Sequence, residues 1–331
     1  MDGVRAHLAR DDEQHERDSP QQGLQRDHCV VAAVKVPPEG CDRGDGGKGH
    51  SGEEGVQREP MSSTGIGNRR QRDEQTREVT PSHGSLASRS GRTVLLCSSA
   101  VATLTWLGHS AFMLGSDRGK RIYVDPFLTG NPKTPEDEKV PDRVDVICVT
   151  HGHGDHVGDT VELSRRFPDA PIVCQVELKD WLGGQGANIG EMPGLNKGGS
   201  IELDGITYAL TNAFHSSSTP DGTYAGEACG IVIKLEEELT VYFAGDTCVF
   251  GDMQLIRHLW GPDYAALPIG DHFTMGPREA AIAIDMLGNP RVIPCHWGTF
   301  PLLRGTPDQL QEEAESATIV RMEPGDTIEL E

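Results

Sequence analysis

The chain has 331 residues and a formal net charge of −21, because 51 Asp and Glu outnumber 30 Lys and Arg. A surface this acidic repels the phosphates of nucleic acids at long range, which weighs against a nuclease. The sequence contains no stretch of 18 apolar residues, and its first residues lack an apolar leader segment. We therefore expect neither a membrane span nor export.

The composition changes near residue 100. Residues 1–100 are rich in Gly, Ser, Gln, Arg and Asp, and they show neither helical nor strand periodicity. Such a segment buries too little apolar surface to offset its ordering entropy, so we predict that it is disordered or is a non-native N-terminal extension. A regulatory tail is the functional alternative. Residues 101–331 are long enough for one compact domain with a sizeable core.

The eight cysteines are scattered along the chain, and no Cys-x-x-Cys pair occurs. This pattern favours a reducing compartment, so we expect a cytoplasmic protein. Cys148, Cys174 and Cys295 lie in or beside apolar runs, where cysteine packs as a small hydrophobic residue. Cys248 and Cys295 flank candidate metal ligands but are not expected to bind metal.

Hydrophobic periodicity predicts alternating strands and helices along residues 101–331. In the first half, strands are expected over 103–107, 111–114, 121–124, 144–150 and 171–174, and helices over 160–167 and 176–182. In the second half, strands are expected over 201–203, 206–214, 229–235, 239–244, 264–267 and 291–295, and helices over 252–260 and 277–287. Two strand-rich halves with accompanying helices indicate an α/β (α+β) fold class.

Four side chains able to bind metal lie within six positions after the strand predicted over 144–150. They are His151, His153, Asp155 and His156, with glycines between them. Residues two apart in an extended segment point to the same side, so His151 and His153 are expected to reach one metal ion together. Asp155 and His156 lie beyond the second glycine, where they are able to turn toward a second ion. Imidazole and carboxylate ligands suit zinc, and also iron or manganese.

Three further residues of the same kinds each follow a predicted strand. His215 follows the strand at 206–214, Asp246 follows a β-rich run that ends at Gly245, and His296 follows the strand at 291–295. A site with two metal ions needs more ligands than the first cluster supplies, and these residues offer them.

The order His-x-His-x-Asp-His, a later His, Gly-Asp and a final His resembles the metallo-β-lactamase superfamily over about residues 101–331. Several motifs are similar to UPF0173 metal-dependent hydrolases, and more distantly to ascorbate-6-phosphate lactonases. These motifs are Leu-Gly-His-Ser at 107–110, Val-Asp-Pro-Phe at 124–127, Gly-Asp-Thr at 245–247, the segment 268–277, and His-Trp-Gly-Thr-Phe-Pro at 296–301. The resemblance implies a four-layer αββα sandwich.

The resemblance also implies a hydrolase that binds two divalent metal ions, and zinc is favoured over manganese or iron as the bound metal. A metal-bridging hydroxide would then attack a small ester, lactone or phosphoester. Asp246 would bridge the two ions. One ion would be held by His151, His153 and His215, and the other by Asp155, His156 and His296.

Five residues have roles beyond metal binding, or roles that the sequence leaves open. Asp155 is expected also to orient the attacking water or to accept its proton. His109 is a candidate proton donor, substrate contact or support for a ligand. Asp125 either hydrogen-bonds a ligand histidine or caps a turn. For His272, the sequence leaves open whether it acts at the site or is only part of a loop. His258 is expected to have a structural role.

A phosphodiesterase or nuclease on the same metal centre is the main alternative function. A di-iron redox protein is less favoured, because such relatives carry Glu at the position of His153. A non-catalytic binding module is less favoured because the ligand set is complete. The expected partner is a small molecule rather than nucleic acid or a membrane, and a homo-oligomer is compatible with the sequence. The loops 129–143, 183–199 and 216–227 are expected to set the substrate.

Deleting residues 1–100 is expected to leave folding and metal content unchanged, because that segment has too few apolar residues to contribute to the hydrophobic core. Circular dichroism and metal analysis of the shortened chain check this. An insoluble or metal-free product would contradict it.

Overall fold

The computed structural model describes residues 101–331, so the prediction for residues 1–100 lies outside the described residues. The strands are β1 Thr103–Gly108, β2 Ala111–Gly115, β3 Arg121–Val124, β4 Val146–Cys148, β5 Ile172–Val173, β6 Ser200–Leu203, β7 Ile206–Asn212, β8 Cys229–Lys234, β9 Thr240–Phe243, β10 Tyr264–Pro268, β11 Arg291–Cys295 and β12 Thr327–Glu329. The helices are α1 Gly154–Val157, α2 Thr160–Arg166, α3 Val176–Gly184, α4 Met253–Trp260, α5 Pro277–Leu287 and α6 Pro307–Glu313.

The strands form two six-stranded mixed sheets. The first has the order β12-β1-β2-β3-β4-β5, and the second has the order β11-β10-β9-β8-β7-β6. β3, β4 and β5 are parallel in the first sheet, as are β9, β10 and β11 in the second. Parallel neighbours place their carboxyl ends at the same edge of a sheet, which is where ligand-binding loops gather in such folds.

Alternation along the strands assigns each apolar side chain to a layer. Ile231 and Ile233 of β8 point into the core shared by the two sheets, whereas Val232 between them points to the outer face. On that outer face α4, α5 and α6 pack against the second sheet. Helices α1 to α3 cover the outer face of the first sheet in the same way. The molecule therefore has the predicted four layers, αββα.

Most of the predicted elements are confirmed, and several strands are shorter than predicted, β4 most of all, followed by β5, β7 and β9. β4 covers only Val146–Cys148, and β7 stops at Asn212, because the chain leaves each sheet before the histidine that follows. The sequence analysis missed α1, α6 and β12. Within residues 101–331, no helix combines the length and apolar character needed to cross a bilayer.

Candidate metal centre

The segment after β4 carries four of the predicted ligand side chains, and a short helix separates them into two pairs. The backbone is extended at His153, and α1 begins at the next residue. This single turn moves Asp155 and His156 away from the side occupied by His151 and His153. His151 is 1% exposed and His156 is 0% exposed, so both imidazoles face the interior of the site.

The first group of ligand-type residues consists of His151, His153, His215 and Asp246. One ligand atom from each lies within 4.8 Å of the others. His151 Nε2 is 3.0 Å from His153 Nδ1, and His215 Nε2 is 3.5 Å from Asp246 Oδ2. The structure thus brings together the residues that the sequence assigned to one ion.

The second group consists of His109, Asp155, His156 and His296, again with ligand atoms within 4.8 Å of one another. Asp246 also reaches this group, since its Oδ1 lies 3.2 Å from His156 Nε2 and its Oδ2 lies 3.1 Å from His296 Nε2. Asp246 is 2% exposed and lies between the two groups. This is the position that a bridging carboxylate requires.

Close backbone packing positions His296. A Cβ atom built on Gly270 would lie 2.0 Å from the His296 carbonyl oxygen, so only glycine fits there. His296 itself has a φ of 54°, and its backbone N–H donates to the carbonyl oxygen of His109 at 3.0 Å. The loops after β11 and β1 are thereby joined at the centre.

His109 is fully buried and belongs to the second group. Its Nε2 lies 3.0 Å from Asp155 Oδ2, and its Nδ1 lies 3.1 Å from Thr299 Oγ1. The Phe300 ring lies 5.4 Å from the imidazole, between centroids. The sequence analysis assigned no role to Thr299 or Phe300, although both belong to the motif that begins at His296. Burial lowers the pKa of His109 to about 4, so the ring is neutral near pH 7.

Asp125 hydrogen-bonds a candidate ligand, which confirms the first of its two predicted roles. His156 Nδ1 donates to Asp125 Oδ2 at 2.7 Å, and this leaves His156 Nε2 facing the centre. Thr150 Oγ1 also donates to Asp125 Oδ2 at 2.7 Å, and it lies 3.0 Å from His151 Nδ1. Because that hydroxyl has one hydrogen, it accepts from His151 Nδ1–H. Asp125 therefore orients one histidine in each group.

Replacing Asp125 with alanine is expected to lower metal affinity or turnover by about 10–100-fold, because His156 loses its orienting partner and Thr150, which contacts His151, loses its anchor. Metal titration and steady-state kinetics measure the effect. Asp204→Ala, which removes an exposed carboxylate paired with Lys120, is the matched control. Unchanged metal affinity and turnover in Asp125→Ala would contradict an orienting role.

Four other candidates lie outside both groups of ligand-type residues in the described part of the chain. His272 occupies an exposed turn, and His258 is exposed on α4. Cys248 is exposed. Cys295 is buried, and burial raises the pKa of its thiol well above the usual value.

The chemistry of the centre fits divalent cations. Burial lowers the pKa of His151 well below its usual value, which keeps the imidazole in the neutral, metal-binding form. Burial opposes ionisation of Asp246, but His156 and His296 together hold its pKa well below the ordinary range. His156 Nε2 and Asp246 Oδ1 are buried without a hydrogen-bond partner among the described residues. Burial opposes protonation of His156, but Asp246 and Asp125 raise its pKa well above the usual value, so a metal ion bound there would displace its proton. A neutral His151, an ionised Asp246 and buried atoms without hydrogen bonds are what a metal ion would satisfy.

Comparison with known proteins agrees with the geometry. Residues 120–297 match the Beta-lactamase superfamily domain. A UPF0173 metal-dependent hydrolase from Koribacter versatilis is 44% identical over 228 residues, covering 68% of this chain and 96% of that protein. One from Thermococcus kodakarensis is 42% identical over 229 residues, covering 68% and 98%.

Solved structures show the same fold. Igni18, a metallo hydrolase from Ignicoccus hospitalis, superposes with a TM-score of 0.61 at 35% identity, covering 70% of this chain and 99% of that one. An isothiocyanate hydrolase from Delia radicum gut bacteria shares the fold at 21% identity, with a TM-score of 0.55 over 69% of this chain and 98% of that one. The fold and the histidine-rich centre define a metal-dependent hydrolase of the metallo-β-lactamase superfamily. Within that superfamily, the chain belongs to the UPF0173 family.

Proposed function

We propose that this enzyme is a dinuclear hydrolase of small esters, lactones or phosphoesters. Asp246 would be shared by two metal ions, and each ion would have three further protein ligands. These ligands are His151, His153 and His215 for one ion, and Asp155, His156 and His296 for the other. The observation that carries the proposal is the position of Asp246, whose carboxylate oxygens lie within 3.1–3.5 Å of histidine nitrogens from both groups.

Two divalent ions bound there, with zinc favoured over manganese or iron, would lower the pKa of water toward neutrality and polarise a carbonyl or phosphoryl oxygen. The protein supplies a rigid and largely buried cage for this chemistry. Each ion would have three ligands of its own and would share Asp246 with the other ion, unlike a closed structural zinc site, in which four ligands serve one ion. The centre therefore has room for a substrate oxygen.

Asp155 is suited to hold and orient the attacking water. Burial opposes ionisation of its carboxyl group, but the hydrogen bond from His109 keeps its pKa below the usual range. Since Oδ2 accepts from His109, Oδ1 is the oxygen that remains for the centre. We assign to Asp155 both a ligand role and the orientation of water.

His109 is suited to hold Asp155 in position, because burial lowers the pKa of its imidazole to about 4 and the neutral ring keeps its Nε2 hydrogen near pH 7. Asp155 is an ionised carboxylate and accepts only, so His109 Nε2 must carry hydrogen. The neutral ring then has a bare Nδ1, which accepts from the Thr299 hydroxyl. In this arrangement neither nitrogen has a lone pair for a metal ion, while Nε2–H lies at the edge of the reactive centre. His109 would position Asp155 rather than act as a proton donor or an eighth ligand.

Activity screening of the purified, metal-quantified protein tests this function. We expect metal-dependent hydrolysis within panels of esters, lactones, thioesters and phosphodiesters, with esters or lactones preferred. A chelated sample should be inactive and should recover when the metal is restored. Turnover of phosphodiesters alone would support the alternative function, and no hydrolysis by the fully loaded protein would reject the proposal.

A further inference from the structure

A cavity of about 350 Å³ opens beside the metal centre on the side of His215. The His215 side chain forms part of its wall, and the loop between β7 and β8 forms much of the remainder. That loop is ordered by an antiparallel bridge between Ser218 and Tyr224, and by a hydrogen bond from Thr219 N to Thr223 O at 2.8 Å. A substrate reacting at the centre would have space in this cavity for the part remote from the reacting bond.

Lys197 supplies the charged part of the cavity. Its Nζ donates to Asn212 Oδ1 at 2.9 Å and to Glu227 Oε2 at 2.6 Å. An ammonium group has three N–H donors, so one donor has no partner among residues 101–331. The side chain is 20% exposed. A hydrogen-bond acceptor on a bound molecule would take that third donor.

The Lys197–Glu227 pair adds no net charge to this part of the cavity wall. An anionic group that approached Lys197 would also approach the Glu227 carboxylate, which repels it. A cationic group that approached Glu227 would likewise be repelled by the Lys197 ammonium group. Like charges placed together at a binding site are unfavourable, and solvent reduces this effect because Glu227 is 63% exposed, so the pair favours neither kind of ion. An uncharged group with an acceptor oxygen avoids both penalties.

Two aromatic side chains give the cavity apolar walls. Phe214 is 55% exposed and Tyr224 is 66% exposed, which is unusual for large rings beside a buried centre. The Phe214 ring is held against Phe250, with centroids 5.2 Å apart. Aromatic faces of this kind favour a flat apolar partner, which would cover them on binding.

We propose that this cavity is a substrate subsite that selects an uncharged, planar group carrying a hydrogen-bond acceptor. The acceptor bonds to Lys197 and the flat body lies against Phe214 and Tyr224. The inference rests on the proposed function, because the cavity serves a substrate only if His215 belongs to the reactive centre. The subsite narrows the substrate class to esters or lactones. The part of such a substrate remote from the reacting bond would be neutral and flat, such as an aryl or unsaturated amide group.

Binding of three small probes to the full-length, zinc-loaded protein tests the subsite. The probes are benzamide, benzoate and benzyltrimethylammonium, followed by NMR at the backbone amides of Tyr224 and Gly226. We expect the wild-type protein to bind benzamide most tightly. Glu227→Gln leaves Lys197 uncompensated, so benzoate should gain about tenfold relative to benzamide. Lys197→Met leaves Glu227 uncompensated, so benzyltrimethylammonium should gain about tenfold relative to benzamide.

The matched controls are Lys234→Met and Glu238→Gln, which break a similar ion pair at the end of β8. These variants should leave all three affinities unchanged. Tighter wild-type binding of either ion, unchanged ratios in the two test variants, or no response at Tyr224 and Gly226 would overturn the subsite. Hydrolysis is measured separately. If probe binding contradicts the subsite but metal-dependent hydrolysis is intact, the proposed function still holds. If the metal-loaded protein hydrolyses nothing, the proposed function is rejected regardless of how the probes bind.

Discussion

Replacing Asp246 with alanine is expected to lower turnover by about 10³-fold or more, which is ~4 kcal/mol in activation free energy. Asp246 approaches His156 and His296 in one group and His215 in the other, all within 3.5 Å. Its loss removes the shared ligand and leaves positive charge without its buried counter-charge. Metal affinity should therefore fall in both groups, in contrast to the loss of a single histidine.

Two further variants complete this test. Asp246→Asn keeps the shape of the side chain but removes its charge, and it should be nearly as defective as Asp246→Ala. Asp252→Ala removes an exposed carboxylate that makes no capping hydrogen bond at the start of α4, so it should retain full activity and metal. Near-normal turnover by Asp246→Ala would be incompatible with the two-metal mechanism.

Replacing His109 with alanine is expected to lower turnover by about 10²–10⁴-fold while leaving metal content intact. The reason is that His109 Nε2 donates to Asp155 and its Nδ1 accepts from Thr299, so the ring would hold Asp155 in place without coordinating metal. Steady-state kinetics and metal analysis on the same sample separate the two roles. Loss of one metal ion in this variant would show that His109 is a ligand.

Thr299 and His258 provide the controls for His109. Thr299→Val removes the hydroxyl that sets the ring's protonation pattern and should share part of the defect, whereas Thr299→Ser should restore activity. His258→Ala, an exposed change on α4, should have no effect. The three site variants should rank with Asp246→Ala most damaged, His109→Ala intermediate and Asp125→Ala mildest.

The positions of the candidate ligands could be predicted because each one follows an apolar strand of the core. β4, β9 and β11 are recognisable as continuous apolar runs, and their ends place the next residues at a sheet edge. His151 and His153 converge as their two-residue spacing requires, at 3.0 Å. The family resemblance supplied the pairing of these residues across the two groups, since spacing alone gives no partner to His215 or His296.

The missed elements carry little periodic signal. α1 has only four residues, which is too short for an apolar stripe. α6 buries a single side chain, Leu310, and β12 is a three-residue edge strand with no buried residue. Such elements form because neighbouring parts of the fold are already in place, so local sequence does not reveal them.

The roles of Asp125, His109 and Lys197 could not be settled from sequence for a different reason. Each depends on contacts between segments far apart in the chain. His109 and Thr299 are 190 residues apart, and Asp125 and His156 are 31 apart. Asp125 meets His156 only when β3 pairs with β4, and His109 meets Thr299 only when the two sheets pack together. The sequence therefore left Asp125 and His109 with several roles and gave no indication for Lys197.

The metal content of the purified full-length chain tests the central claim most directly. Native mass spectrometry with elemental analysis should find two metal ions per chain. His151→Ala and His215→Ala should each mainly empty one group, and His156→Ala and His296→Ala the other, so that a variant combining one change from each group binds neither ion. A stable protein that holds a single metal ion per chain and retains full activity would contradict the account.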